Sequence, residues 1–167
     1  MSKIRVVHYI NQFFAGVGGE EQAHIAPALR KELPPISTQL QGKLGEDFEV
    51  VATVVCGDSY FNENLESVQK ELLEMIKGCE PQLFIAGPAF NAGRYGVAAG
   101  TITKAVQDEL HIPAVTAMYE ENPGTDMFKK DVYILETSDS AAGMRKALPK
   151  LAKFATKLAK GEEILSP

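Results

Sequence analysis

Residues 82–96 read QLFIAGPAFNAGRYG, an apolar run followed at once by a glycine-rich loop. The run 82–86 has the length and composition of a buried β-strand. The same arrangement occurs near the amino terminus, where the apolar run 4–10 precedes the glycines of segment 15–21. Because parallel strands end at one edge of a sheet, we expect the two loops to lie side by side and to form a crevice lined by backbone amides. We expect the function of the chain to reside in this crevice.

Strand and helix patterns alternate along the chain. Five runs rich in β-branched or aromatic residues predict strands at 4–10, 49–55, 82–86, 113–118 and 132–136. Apolar stripes at helical spacing lie between residues 65 and 76, 97 and 110, and 144 and 158. This alternation indicates right-handed βαβ crossovers. We predict an α/β fold: a three-layer α/β/α sandwich, Rossmann-like or flavodoxin-like, with a mainly parallel five-stranded sheet in the order 2-1-3-4-5.

Two regions depart from this regular alternation. Segment 20–45 cannot hold a long helix, because three prolines and Gly42 interrupt it. We expect an irregular excursion there, followed by a short helix over 36–44. In the last helix, Pro149 is expected to produce a kink or a break.

The composition is that of one globular domain: the chain has 167 residues, of which 45% are hydrophobic and 23% are charged. We expect residues 1–160 to form a single α/β domain and 161–167 to form an exit linker. A net charge of -5 argues against nucleic acid and anionic membranes as partners, because both attract basic surfaces. No apolar run approaches the length of a membrane span, so we expect a cytoplasmic protein in which Cys56 and Cys79 are reduced thiols.

The loop after the first predicted strand supplies the first candidate ligand contacts. They are Asn11, Gln12, Gly16, Gly18 and Gly19. A glycine loop of this kind can bind phosphate, but a dinucleotide fingerprint needs a third glycine where this chain has Glu21. The adjacent carboxylates of Glu20 and Glu21 also repel a pyrophosphate. The loop therefore favours a zwitterion or the loop of a partner protein.

The loop after the third predicted strand favours a small carboxylate. Asn91 is positioned to cap a helix that begins near Ala92, which leaves free amides and a positive helix end beside Arg94. A bidentate guanidinium and such amides suit a carboxylate ligand. The alternative is that Asn91 and the neighbouring glycines only shape a tight turn between strand and helix.

Two further loops bring carboxylates and aromatic rings to the same edge. Their candidate ligand-binding residues, together with the tyrosine that follows Arg94, are Asp58, Tyr60, Tyr95, Tyr119, Glu120 and Glu121. The carboxylates of Glu120 and Glu121 suit an ammonium group through charge pairing, and the aromatic rings suit it through cation–π contact. Those rings are Phe13, Phe14, Tyr60, Tyr95 and Tyr119. The same aromatic residues are equally suited to a subunit interface. No catalytic residue is predicted in this chain, since Cys56 at the end of its strand is more simply a packed small residue than a reactive thiol.

Other polar residues receive structural interpretations. His8 lies inside a central strand, which favours a hydrogen-bonded core histidine over a catalytic one. Segment 137–140 is most simply an N-cap cluster for the last helix. Glu20 and His24 have i, i+4 spacing, but no further ligands accompany them, so no metal site is predicted.

Five blocks of sequence resemble, in the same order, the amino-terminal part of the selenoprotein B subunit of glycine, sarcosine and betaine reductases. The blocks are 7–16 (VHYINQFFAG), 56–61 (CGDSYF), 86–96 (AGPAFNAGRYG), 118–124 (MYEENPG) and 139–145 (DSAAGMR). The resemblance covers essentially the whole chain, and five ordered blocks are far more specific than a single glycine motif.

The resemblance implies component B of a multi-subunit oxidoreductase from anaerobes that ferment amino acids, with a disulfide as acceptor. In that family a pyruvoyl-bearing partner subunit engages the substrate amine, at least for glycine and sarcosine. A selenocysteine of selenoprotein B attacks the methylene carbon, the amine leaves, and a carboxymethyl group passes to selenoprotein A. Component C then yields acetyl phosphate, and a thioredoxin-type dithiol supplies the electrons. An oligomeric assembly follows from this scheme.

The chain departs from the family pattern in one respect. The family's selenocysteine precedes a cysteine by three positions, and neither Cys56 nor Cys79 has a cysteine at that spacing. We therefore expect a fragment that is inactive alone, holds no cofactor, and leads to a missing carboxy-terminal region with the selenocysteine. The competing interpretations are a non-catalytic docking module of the complex and a standalone phosphate- or nucleotide-binding domain.

The three substrates of the family each pair a carboxylate with a nitrogen cation. We expect Arg94 and the helix end at Asn91 to bind the carboxylate. Glu120, Glu121 and the aromatic residues are expected to bind the cation. This assignment is a hypothesis about the crevice, and the resemblance does not itself supply it.

Overall fold

The computed structural model describes residues 3–161, which include a six-stranded sheet. Its strands are β1 (Ile4–Asn11), β2 (Ala28–Arg30), β3 (Phe48–Cys56), β4 (Leu83–Ala86), β5 (Ala114–Tyr119) and β6 (Tyr133–Thr137). They lie in the order β2-β3-β1-β4-β5-β6. Neighbouring strands are parallel, except that β2 pairs antiparallel with β3. Apart from Gly161, the expected exit linker lies outside the described residues.

Helices cover both faces of the sheet. They are α1 (Pro35–Leu44), α2 (Asp58–Glu63), α3 (Leu65–Gly78), α4 (Gly93–Leu110), α5 (Pro123–Phe128) and α6 (Met144–Ala159). Side chains of β1 alternate between the faces: Val7 and Tyr9 pack with α3 and α4, and Val6 packs with α1 and α6. The predicted three-layer sandwich is therefore confirmed. None of the helices within residues 3–161 has both the length and the apolar character that a membrane crossing requires.

The predicted order of the five parallel strands is confirmed, but the sheet has a sixth strand that the sequence did not predict. This strand, β2, lies in the segment expected to be an irregular excursion and has only three residues. Three residues are too few to display an alternating pattern, and β3 supplies the free edge on which they pair. The short helix expected over 36–44 is present as α1.

The last helix runs unbroken through its proline. Pro149 lies near the amino-terminal end of α6, where its missing N–H removes one bond to the carbonyl of Arg145. Leu148 and Leu151 on either side of it stay buried against the sheet. The expected break at Pro149 is therefore wrong, because tertiary packing holds the helix together across the lost hydrogen bond, while the kink stays a prediction.

The connections of β1 and β4 position the site. The chain leaves β1 toward α1, on one face of the sheet, and leaves β4 toward α4, on the other. Because these two strands are neighbours, their loops diverge and a crevice opens between them. The sheet therefore has a topological switch point at the carboxyl ends of β1 and β4.

Candidate functional site

A cavity with a volume of about 310 Å³ lies at this switch point. Five segments line it, namely 11–14, 19–20, Asp58, 89–92 and 139–141. It brings together five of the candidate ligand residues: Asn11, Gln12, Gly19, Asp58 and Asn91. A larger groove of about 630 Å³ lies between α3, α4 and α5, but it contains none of the candidates and is away from the sheet edge. The switch-point cavity is therefore the candidate site.

Three side chains at the ends of β1 and β3 form a hydrogen-bonded floor. The Asn11 amide donates from Nδ2 to Oδ2 of Asp58 at 2.9 Å, and Oδ1 of Asn11 accepts from the backbone N–H of Phe14 at 3.0 Å. Oε1 of Gln12 accepts from the backbone N–H of Asp58 at 3.1 Å. These bonds fix the Asp58 carboxylate against the loop that follows β1.

Asp58 has a buried carboxylate, one oxygen of which lacks a hydrogen-bond partner. Its side chain is 6% exposed, and Oδ1 accepts no hydrogen bond from any residue in the described part of the chain. Burial raises the pKa of Asp58, while the hydrogen bond from Asn11, the charge of Arg94 and the hydrogen bond with Gln12 act in the opposite direction. Oδ1 is therefore an acceptor buried without a donor, and the hydroxyls of Tyr9 and Tyr95 are likewise buried without partners.

Phenylalanine side chains form the apolar wall of the cavity. Phe14 makes an edge-to-face contact with Phe13, with ring centroids 5.2 Å apart, and a tilted contact with Phe90 at 6.3 Å. The rings come from the loops after β1 and β4. Phe13 is 59% exposed. An acidic floor beside an aromatic wall is suited to a small organic cation.

Arg94 lies beside the cavity and is already bound to protein groups. Its Nη2 donates to the Glu20 carboxylate in a salt bridge, and its Nη1 donates to Oγ of Ser59. The hydrogen bond with Glu20 raises the pKa of Arg94. The guanidinium therefore joins the glycine loop to α2 and α4, and any carboxylate ligand has to compete with Glu20 for it.

The expected cap of α4 is wrong, because Ala92 occupies the N-cap position and no side chain caps the helix. The loop is instead held by Asn122, which donates to the carbonyl oxygens of Phe90 at 2.9 Å and Ala92 at 3.1 Å. Asn122 also caps α5 by accepting from the backbone N–H of Gly124. The side chain of Asn91 remains exposed at the cavity.

Several other candidates lie outside the cavity lining. Tyr95 is fully buried with its ring tilted against that of Tyr9, and Tyr60 packs against the same core cluster. Glu120 and Glu121 are exposed in the turn between β5 and α5, directly after Tyr119. The structure thus separates the acidic turn from the cavity, although both are at the carboxyl edge of the sheet.

The glycine loop is not an open cradle for phosphate. Gly16 and Gly18 have positive φ angles of 78° and 158° and shape the turn outside the cavity lining. The backbone N–H of Gly19 already donates to Oε1 of Glu21 at 2.9 Å. A hydrogen bond from the backbone of Glu21 itself and then this bond from Gly19 lower the pKa of the Glu21 carboxyl. The Glu21 carboxylate therefore already accepts the hydrogen bond of a backbone N–H that a phosphate would need.

Cys56 has the properties of a packed thiol. It is fully buried at the end of β3, and its Sγ lies 3.5 Å from the carbonyl oxygen of Gly57. Burial, followed by the charges of Asp58 and Glu71, raises the pKa of Cys56 to about 12. At neutral pH the group is a protonated thiol and a poor nucleophile.

His8 is the hydrogen-bonded core histidine that the sequence suggests. Its Nε2 lies 2.7 Å from the carbonyl oxygen of Gly87, which can only accept, so Nε2 carries the proton. Nδ1 then accepts from the hydroxyl of Ser37 at 2.8 Å, and that hydroxyl lies 2.7 Å from Thr53. Burial lowers the pKa of His8 to about 4, so the ring is neutral at pH 7.

Segment 137–140 does not cap the last helix, because no side-chain capping bond is present at the start of α6 or of the short turn before it. The segment instead carries Asp139 and Ser140 to the cavity, where the Asp139 carbonyl accepts from the backbone N–H of Asn91 at 3.2 Å. Sequence reasoning missed these residues as well as Phe90. One signal could have identified Asp139 and Ser140: they directly follow β6, which ends at the same edge of the sheet.

Fold and cavity together define an α/β/α sandwich with a small, acidic and aromatic site at its switch point, a place where such sheets bind small ligands. Comparison with known sequences gives the particular family. The chain belongs to the glycine/sarcosine/betaine reductase selenoprotein B family, whose model matches residues 3–167.

Relatives named for all three reductases are similar to the chain. It is 74% identical over its full length to the glycine reductase complex component B subunit gamma of Peptoclostridium litorale. Identity is 59% with the sarcosine reductase complex component B subunit beta of Peptoclostridium acidaminophilum, and 39% over 160 residues with the betaine reductase complex component B subunit beta of that organism. The chain spans 38%, 38% and 36% of these relatives. No solved structure gives a significant match.

Proposed function

We propose that the protein carrying this chain is the substrate-specific part of component B in a glycine, sarcosine or betaine reductase. Its reaction is the reductive deamination of a small amino acid or betaine, in which a carboxymethyl group passes to selenoprotein A and a disulfide is the eventual product of the reductant. The observation that carries the proposal is the identity of 39–74% with relatives named for each of the three reductases.

In this proposal the chain binds the substrate and other parts of the assembly supply the redox chemistry. The selenocysteine would supply the nucleophile for the substrate methylene, and the amine would leave with the electron pair of the broken carbon–nitrogen bond. Neither described thiol is suited to act as that nucleophile, because Cys56 has a pKa of about 12 and burial raises the pKa of Cys79. We place the selenocysteine outside these residues and the pyruvoyl group in a partner subunit, and we expect the chain alone to be inactive.

The size and lining of the cavity support a small zwitterionic substrate. Its volume of about 310 Å³ is at the lower end of the ~300–1,000 Å³ found for ligand pockets. The carboxylates of Glu20, Asp58 and Asp139 at the cavity disfavour the alternative of a phosphate or nucleotide ligand. Asn11, Gln12, Gly19 and Asn91 are further proposed contacts.

Partner binding in this proposal uses the same edge of the sheet. Phe13 is 59% exposed beside the cavity, which fits a contact with the pyruvoyl-bearing subunit or with selenoprotein A. The proposed complex is oligomeric and cytoplasmic, and the two free cysteines fit a reducing compartment.

The test uses component B purified through a tag on the protein that carries this chain. It is mixed with selenoprotein A, component C and a thioredoxin-type reductant, and incubated separately with glycine, sarcosine and betaine. Release of ammonia, methylamine or trimethylamine in step with acetyl phosphate supports the proposal. If a relative's component B is active in the same mixture and this one binds its partners but releases no amine, the proposal is wrong and a docking module remains.

A further inference from the structure

We propose that the exposed face of α6 is a docking surface for an acidic face of selenoprotein A, the protein that receives the carboxymethyl group. This inference rests on the proposed function and specifies how component B recognises a partner that has to bind and leave in every turnover. The docking surface, here called the lysine ridge, consists of four exposed side chains: Lys146, Lys150, Lys153 and Lys157.

The first argument is the geometry of the ridge. Its lysines are separated by four, three and four positions, so they form one stripe along the helix with a length of about 17 Å. The opposite face of α6 carries Leu148 and Leu151 into the core. The stripe therefore points away from the sheet, and all four of its side chains are exposed.

The second argument is that the ridge lacks counter-ions. None of its lysines forms a salt bridge with a residue between 3 and 161, whereas Lys160, one turn beyond the ridge, lies 3.7 Å from the Asp47 carboxylate. Lys150 donates only to a backbone carbonyl, that of Glu136, at 2.8 Å. Within the described part of the chain, the charges of the ridge are therefore available to the carboxylates of a partner.

The third argument is that this arrangement of charge disfavours the isolated helix. Two pairs of ridge lysines are four positions apart, where like charges repel each other. The first turn of α6 contains Arg145 and Lys146 and no acidic residue, although the helix dipole favours acidic side chains there. Charges that oppose the local preferences of the fold are expected at functional surfaces.

The charge of the rest of the chain selects a protein over a polyanion as the partner. The net charge is -5 and α6 contributes +5, so the remainder of the chain carries -10. That remainder repels nucleic acid and anionic membranes, whereas an acidic patch on a protein can contact the ridge alone. Exposed lysine pairs add little affinity but raise the rate of association, so the ridge suits a partner that binds briefly.

The ridge also begins next to the candidate site. Segment 139–141 lines the cavity, and Lys146 follows only five positions after Ala141. A protein bound along the ridge therefore reaches the edge of the sheet at which the cavity opens.

The test measures the rate at which selenoprotein A associates with complete component B, by surface plasmon resonance at about 0.05 M and about 0.5 M salt. The variant Lys153→Glu/Lys157→Glu reverses two charges of the ridge. The matched control, Lys70→Glu/Lys77→Glu, makes the same change at exposed positions of α3, on the other face of the sheet. At low salt we expect the ridge variant to associate about tenfold more slowly, or slower still, and the control less than about threefold more slowly. The wild-type rate is expected to fall with salt far more than the rate of the ridge variant.

A second pair of variants keeps the inference testable if the charge-reversed ridge variant does not fold. Lys153→Gln/Lys157→Gln removes the charges without reversing them, and we expect about threefold slower association than in Lys70→Gln/Lys77→Gln. Equal association rates in folded ridge and control variants overturn the inference. A wild-type rate that does not depend on salt, or a wild type that does not bind selenoprotein A, also overturns it. Association is read without turnover, so absence of amine release in the wild type counts against the proposed function alone.

Discussion

The side chain of Asn122 donates a hydrogen bond to the carbonyl oxygen of Phe90, 32 positions earlier in the sequence, at 2.9 Å. A second bond from the same amide reaches the carbonyl of Ala92, and Asn122 is itself 1% exposed. One buried amide thus supports, from outside the lining, the loop that forms a wall of the cavity. The shape of the cavity depends on a residue that does not touch its contents.

We expect Asn122→Ala to lower the free energy of unfolding by about 2–3 kcal/mol, because it removes two donated bonds and the α5 cap from a buried position. Urea unfolding of the protein measures the change. The control is Asn64→Ala, whose exposed amide donates only to the carbonyl of Tyr60; its expected cost is about 0.5 kcal/mol. Equal losses in the two variants would contradict the supporting role of Asn122.

Arg94 and Glu20 form one salt bridge, and substitutions of the two residues are expected to change the affinity for acetate in opposite directions. If the guanidinium also binds the substrate carboxylate, Arg94→Ala weakens acetate binding about fivefold or more, and Glu20→Gln strengthens it by releasing the arginine from its competitor. Calorimetry with acetate on component B measures both. Unchanged acetate affinity in Arg94→Ala removes this arginine from the substrate site and leaves it a structural link between the glycine loop and α2.

Burial of neutral His8 predicts a loss of stability in mild acid. The unfolded histidine has a pKa of about 6.5 and the folded one a pKa of about 4, so the unfolded state binds the proton first as the pH falls. Stability is therefore present above pH 6.5 and decreases toward pH 4, with about 2 kcal/mol lost between pH 7 and pH 5.

Urea unfolding at both pH values measures this loss in the wild type and in His8→Gln. We expect the substitution to lower stability at pH 7 and to remove the histidine's share of the pH dependence. His24→Gln, at an exposed position, is the control for the change of residue type. If the stability of His8→Gln falls between pH 7 and pH 5 as much as that of the wild type, the loss is due to other groups.

Cys56 is predicted to be unreactive in the folded protein. Because its thiol is buried and has a pKa of about 12, iodoacetamide at pH 7.5 should label it far more slowly than after unfolding in urea. Peptide mass spectrometry locates the label. Cys56→Ala should retain amine release in the complete system, and loss of turnover in a folded Cys56→Ala protein would restore the thiol as a catalytic candidate.

The order of the parallel strands was predictable because the relevant signals are local. Each of these strands is a short apolar run followed by a helix or an irregular connection, and right-handed crossovers leave few arrangements for such a chain. His8 was predictable for the same reason, since a polar ring inside a central strand needs buried partners. In contrast, β2 exists only because β3 offers it an edge.

The details of the site depend on contacts that are distant in sequence. Asn91 has the residue type and position of a cap, but Asn122 takes over the support of that loop from another part of the chain. In the sequence, Arg94 has the properties of an unpaired anion-binding residue. In the structure it is paired with Glu20, 74 positions away. The residue types predicted that charged groups and backbone amides lie at this edge of the sheet. Which of these groups bond to each other is seen only in the structure.

The cavity is assembled from five stretches that begin at Asn11 and end at Ala141. No contiguous peptide of the chain contains its walls, so a ligand that fills it binds only when β1, β4 and β6 are all in place. Binding of a ligand in the cavity and folding of the sheet are therefore coupled equilibria. We expect a ligand bound there to slow proteolysis and hydrogen exchange across the whole sandwich, including helices such as α3 that contribute no residue to the lining.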